Sequence, residues 1–110
     1  MIWYKELYFN NIEDKKKNKY INKLNKGKNI KELFCLCITD KKNFQMEILS
    51  TRELKRQNKL SNNILIIGLA KGKMESFELT KSIVNDVYNK TNKIDIKNYF
   101  VNGDSNEQVC

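Results

Sequence analysis

The sequence predicts a small α+β domain: a mainly antiparallel sheet of three or four strands packed by two main helices. Three observations predict it. Leu33-Phe34-Cys35-Leu36-Cys37-Ile38 and Ile64-Leu65-Ile66-Ile67 are continuous apolar runs of strand length, as expected for strands covered on both faces. Phe44-Gln45-Met46-Glu47-Ile48 alternates apolar and polar residues, the pattern of a strand with one wet face. Two longer stretches, 10–26 and 74–91, repeat their apolar residues at the helical period instead. With 110 residues the chain reads as one domain over residues 1–101, followed by a polar tail over 102–110 that contains Cys110.

Taken in order, residues 1–9 hold four aromatics, Trp3, Tyr4, Tyr8 and Phe9. Leaving all four in water would expose a large apolar patch, so an extended or loosely helical arm laid on the core is expected. The functional alternative is an arm that binds a protein partner or a second copy of the chain. The first helix is placed at 10–26, with Asn10 and Glu13 at capping-box spacing and Gly27 as its stop. On a helix Phe9, Tyr20, Ile21 and Leu24 gather on one side. Lys15, Lys16, Lys19, Lys23 and Lys26 gather within roughly 100° on another, with Lys17 off that arc. The plain reading of these lysines is a solvated helix face, and the functional one is a stripe that meets phosphates or an acidic protein surface.

After a polar link at 28–31, the two runs around Asp40-Lys41-Lys42-Asn43 read as a hairpin, with Phe44, Met46 and Ile48 facing the core. Cys35 and Cys37 then project from one face, as core residues. Ser50 and Glu53 repeat the capping-box spacing and suggest one or two helical turns in 50–60. Arg52, Lys55, Arg56 and Lys59 fall in this window, which holds the only arginines of the chain. They form either a solvated connector or a second basic contact element. Ser61-Asn62-Asn63 breaks the pattern before the strand at 64–67.

Gly68-Leu69-Ala70-Lys71-Gly72-Lys73 leads from that strand into the helix at 74–91. Strand, Gly-x-x-x-Gly-Lys and helix suggest a phosphate-binding loop, but the glycines enclose three residues instead of four and Met74 stands where Ser or Thr would hold magnesium. Lys71, Gly72 and Lys73 remain a candidate anion contact. The competing reading is that Gly68 and Gly72 permit a tight reversal of the chain. In the helix, Met74, Phe77, Leu79, Ile83, Val84, Val87 and Tyr88 form a broad apolar side opposite Glu75, Glu78, Ser82, Asn85, Asp86 and Asn89. Ile94, Ile96, Tyr99, Phe100 and Val101 are expected to dock as a short strand or helical turn. The simplest assembly is a three-stranded sheet with two helices on one face. The continuous runs require cover on the other face too, from the N-terminal aromatics or a second subunit.

Composition excludes several chemistries. There is no histidine, hence no Ser-His-Asp or Cys-His catalysis of the usual kind. Three cysteines at these spacings form neither a disulfide framework nor a metal site, and no cofactor is implied. No apolar run spans a bilayer and no signal peptide opens the chain, so a cytoplasmic location is expected. Net charge is +8 and is polarised: residues 1–31 carry nine lysines against three acids, residues 32–74 eight basic residues against four acids, and residues 75–110 four lysines against six acids. The heavy use of Lys, Asn and Ile also matches an AT-rich genome, which supplies a bland origin for part of the charge.

Tyr4-Lys5-Glu6-Leu7-Tyr8, the lysine-rich helix, the hairpin and Ile67-Gly68-Leu69-Ala70-Lys71-Gly72 together resemble short bacterial proteins of the low-G+C Gram-positive group, whose function is not established. The resemblance spans about residues 2–101 and implies no site residues.

The leading expectation is a non-enzymatic binding protein that contacts nucleic-acid phosphates through Lys15, Lys16, Lys19, Lys23 and Lys26, joined by Arg52, Lys55, Arg56 and Lys59. The alternative is a protein-interaction or adaptor module, with self-association through the N-terminal aromatics. No residue pair stands out as catalytic.

Overall fold

The two continuous apolar runs form the middle of a four-stranded mixed sheet. A computed structural model describes residues 1–39, 46–60 and 63–101. They form β1 (Ile2–Asn10), α1 (Asp14–Asn25), β2 (Leu33–Ile38), β3 (Glu47–Ser50), α2 (Thr51–Leu60), β4 (Leu65–Lys71), α3 (Lys73–Thr91) and α4 (Ile96–Val101). The sheet order is β1-β4-β2-β3. β4 runs parallel to β1 and antiparallel to β2, and β3 runs antiparallel to β2. The fold is α+β, as expected, with one parallel pair in the otherwise antiparallel sheet.

Both faces of the sheet are covered by helices of this chain, which corrects the expectation of two helices on one face. Alternation sends Leu33, Cys35 and Cys37 of β2 to one side, and the register slip next to Gly68 brings Ile66 and Leu69 of β4, three residues apart, to that same side. There they pack with Tyr20 and Leu24 of α1 and Leu54 of α2. Leu36, Ile38 and Ile67 face the other side and meet Leu79, Ile83 and Val87 of α3 and Tyr99 and Phe100 of α4. The double apolar cover that the runs demanded is therefore internal, and needs no second subunit. Burying one such side chain contributes about 1.5 to 3 kcal/mol, so each layer is a substantial share of the fold's stability.

The N-terminal arm is an edge strand. Its two ends pair with β4, Ile2↔Leu65 and Trp3↔Ile66 at one end and Tyr8↔Gly68, Phe9↔Leu69 and Asn10↔Ala70 at the other. Its aromatics divide between the layers: Trp3 and Phe9 pack on the α1–α2 core, Tyr4 and Tyr8 on the α3–α4 core. Phe100 receives Tyr4 edge-on at a centroid distance of 4.9 Å and Tyr8 at 6.2 Å. All four are at least partly buried inside the fold, so they belong to the sheet and do not form a detached arm.

Several boundaries differ from the sequence reading, each for a local reason. Asn10 continues β1 instead of capping a helix, and its amide donates to the Glu75 carbonyl at 2.9 Å. Asn11 turns the chain through a left-handed conformation, and α1 starts behind Glu13 without a side-chain cap. Gly27, at φ 73°, does follow the helix as its stop. At α2 the Ser50 hydroxyl accepts the Glu53 amide at 3.2 Å, so that cap forms, and the helix runs for ten residues. The hairpin between β2 and β3 is present, while its turn and Phe44 lie outside the described residues, as do Ser61, Asn62 and the tail with Cys110.

β4 extends to Lys71, so Gly68 belongs to the strand and not to the turn. It sits where the register with β2 slips, between Leu36↔Gly68 and Cys37↔Ile66. A Cβ there would stand 3.2 Å from Leu79 Cδ2 and 3.3 Å from the Tyr8 carbonyl oxygen, so the missing side chain lets α3 and β1 close on the sheet. Only Gly72, at φ 113°, makes the reversal itself. In α3 the buried stripe is Ser76, Leu79, Ile83 and Val87, narrower than expected, and Met74, Phe77 and Tyr88 stand exposed.

Candidate nucleic-acid interface

α1 and α2 come from separate parts of the sequence and cover the same face of the sheet. In α1, Tyr20 and Leu24 point into the core, which leaves Lys15, Lys16, Lys19 and Lys26 exposed and Lys23 half-buried. In α2, Thr51 and Leu54 point inward, three residues apart, so Arg52, Lys55, Arg56 and Lys59 face outward. Leu24, Gly27, Lys28, Leu54 and Lys55 line a narrow crevice where the two helices meet. Thr51 locks this junction, because its hydroxyl accepts the Ile30 amide at 2.9 Å and donates to the Ile30 carbonyl at 3.2 Å. The two basic elements singled out in the sequence thus share one layer.

The charge of that layer is lopsided. α1 carries five lysines and one aspartate, and α2 four basic residues and one glutamate, a net +7 together. On the opposite face α3 has three lysines against three acids and α4 adds one lysine, a net +1. Some of the basic groups are occupied. Lys15 approaches Glu13 at 3.4 Å and Arg56 meets Glu53 at 2.6 Å. Lys17 pairs with Asp14 at 2.8 Å and rests over the Phe9 ring at 4.4 Å, which keeps it off the stripe as its helical position implied. Lys17 also holds the exposed Asp14 carboxyl below the usual carboxylate range. Among the described residues Lys16, Lys19, Lys23, Lys26, Arg52, Lys55 and Lys59 make no ion pair. Lys28, in the polar link at 28–31, borders the crevice as well. Its place directly after the helix-ending Gly27 was the one available signal.

The glycine turn offers an anion less than its sequence suggested. The Gly72 amide already donates to the Glu32 carbonyl at 2.7 Å. The Glu75 carboxylate lies against Gly72, where a Cβ would collide with it. Lys71 turns its ammonium over the Tyr20 ring at 5.4 Å, and Lys73 is exposed. Lys71, Gly72 and Lys73 therefore do not converge as an amide cradle.

The remaining reactive groups are structural. Cys35 and Cys37 are buried free thiols side by side on the α1–α2 face. Burial pushes the Cys35 thiol up to about 12 and raises that of Cys37 well above its ordinary value, so neither is a nucleophile near neutral pH. Across the sheet, the Tyr8 hydroxyl donates to Asp86 at 2.6 Å and Lys90 pairs with the same carboxylate oxygen at 3.3 Å. Burial, and then the bond to Asp86, raise the Tyr8 pKa far above that of a free phenol. Burial works against the Lys90 ammonium, but its bonds to Asp86 and Tyr99 outweigh this and raise its pKa. The cluster ties β1 to α3 and α4. No group of three or more Cys, Asp or Glu among the described residues is arranged to hold a metal ion.

Compared with known protein families, curated proteins and solved structures, the chain matches none.

Proposed function

We propose that this is a small non-enzymatic binding protein that contacts nucleic-acid phosphates through the α1–α2 layer, in the cytoplasm. One observation carries the reading: two basic elements separated in sequence lie on a single face, with seven cations that have no acidic partner among the described residues. Lysine ammoniums act as point charges, which suits contact with phosphates irrespective of base sequence. The few arginines leave little for bidentate readout of guanine. Buried, unreactive thiols suit a reducing compartment. Among the described residues no helix is long and apolar enough to cross a membrane.

Fluorescence anisotropy with labelled duplex and single-stranded oligonucleotides tests the proposal. Five phosphate contacts would lower affinity by roughly two to three powers of ten between 50 and 200 mM salt, since each contact adds about 0.9 to the log–log slope. Absence of binding at low salt, or binding indifferent to salt, overturns it.

A protein-interaction module is the second reading, and α3 favours it. Met74, Phe77 and Tyr88 stand exposed on the side of α3 away from its buried stripe. Light scattering of the wild type beside Met74→Glu and Phe77→Glu decides this: an oligomer that the substitutions dissociate supports it, and a monomer throughout excludes self-association through α3.

A further inference from the structure

β1 and β4 are the only parallel neighbours among the described strands, and the chain leaves them in opposite directions. After β1 it passes through residues 11–13 to α1 on one face, and after β4 through Gly72 to α3 on the other. Diverging connections at adjacent parallel strand ends leave a crevice at their carboxyl ends, the arrangement that holds ligands in open α/β sheets. Here that place is a hollow of about 490 Å³ lined by Asn11, Ile12, Glu13, Lys16, Tyr20 and Lys71. It is an open depression in the surface and not an enclosed cavity.

The lining is chemically specific. Two lysines line the hollow from different elements, Lys16 from α1 and Lys71 from the end of β4. Lys16 has no ion pair among the described residues, and Lys71 rests only on the Tyr20 ring, a weak partner that a full negative charge displaces. Two lysines can meet the phosphate of a monoester, while the Glu13 carboxylate, which Lys15 approaches at 3.4 Å, leaves the lining at a net +1. Acceptors stand beside them. The Asn11 amide nitrogen is committed to the Lys71 carbonyl at 2.8 Å, which leaves its oxygen to accept, and the Glu13 carboxylate borders the same space. Acceptors next to a phosphate subsite call for hydroxyl groups on the ligand.

We infer that this hollow binds a small hydroxyl-bearing phosphate monoester, of the kind found in sugar phosphates and nucleoside monophosphates, with Lys16 and Lys71 on the phosphate and Asn11 and Glu13 on hydroxyls. The inference shares Lys16 with the oligonucleotide reading and adds Lys71, which lies outside the basic stripe. Amide chemical shifts followed by NMR during titration with ribose 5-phosphate, adenosine 5′-monophosphate, inorganic phosphate and ribose test it. Expected are saturable shifts centred on residues 11–16 and 71 with one or both monoesters, about tenfold weaker binding of inorganic phosphate, and no response to ribose. Lys16→Gln, on an exposed helix position, and Lys71→Gln each weaken monoester binding about tenfold, whereas Lys81→Gln on the opposite layer leaves it unchanged. No saturable shift at these amides up to millimolar concentration, or shifts that survive both substitutions, overturn the inference. Monoester binding in a protein that ignores oligonucleotides keeps the hollow and removes only the interface reading; oligonucleotide binding without monoester binding does the reverse.

Discussion

The layers on the two sides of the sheet solve the same packing problem and present opposite chemistry to water. Each buries a helical stripe on β2 and β4, with Tyr20, Leu24 and Leu54 on one side and Leu79, Ile83 and Val87 on the other. Outward, the α1–α2 layer shows lysine and arginine at a net +7, while the α3–α4 layer is near neutral and shows Met74, Phe77 and Tyr88. Composition bias would raise lysine on both layers alike. Its concentration on one of them is the asymmetry on which the proposed interface rests.

The comparison breaks first at the cores. If both layers hold the fold, Ile83→Ala and Leu54→Ala each cost about 2 to 4 kcal/mol in urea denaturation, since both side chains are almost wholly buried. A near-zero cost for Leu54→Ala would make α2 an ornament and detach its charges from the scaffold. The next test separates charge from stability. Replacing Lys19, Lys23, Lys55 and Lys59 together by Gln lowers oligonucleotide affinity and flattens its salt slope by about 0.9 for each phosphate no longer neutralised. Unfolding free energy then stays within about 0.5 kcal/mol per exposed site. Weaker binding with an unchanged slope would mean that the interface is not electrostatic.

The smallest expected effect concerns the opposite layer. Tyr8→Phe removes the bond to Asp86 and costs about 1 kcal/mol. Folding keeps the Tyr8 phenol protonated, whereas the unfolded chain releases that proton near pH 10. The folded pKa is the higher one, so this contribution is complete below about pH 10 and declines as the pH rises further. Stability measured against pH should therefore fall more steeply on the alkaline side in the wild type than in Tyr8→Phe. Parallel alkaline limbs would dismiss the phenol as a strut between β1 and α3.

Much of the scaffold was legible in the chain because it rests on period and burial. The continuous runs at 33–38 and 64–67 announced strands covered on both sides, and the lysine stripe followed from helical spacing alone. What sequence could not supply was adjacency. Nothing in residues 10–26 says that 51–60 covers the same face of the sheet, and that neighbourhood turns two ordinary charged faces into one surface. The parallel pairing of β1 with β4 was hidden for the same reason, since it joins the first strand to the last across about 60 residues. Asn10 misled locally: its spacing to Glu13 fits a cap, but the ladder to Ala70 extends the strand past that point. The exposed Met74, Phe77 and Tyr88 show that a helical period gives the direction of a buried face and not its width.

The slip of β1 against β4 carries a last consequence. Residues 4–7 drop out of register between Trp3↔Ile66 and Tyr8↔Gly68, and Lys5 and Glu6 stand exposed in that gap at the rim of the sheet. A flat, unbroken rim of this length would template the addition of another chain and seed fibrils; a kinked rim carrying two charges does not. An irregular, charged rim of this kind is a poor template for self-polymerisation. Straightening it, with Val at both Lys5 and Glu6, should make the chain aggregate on concentration.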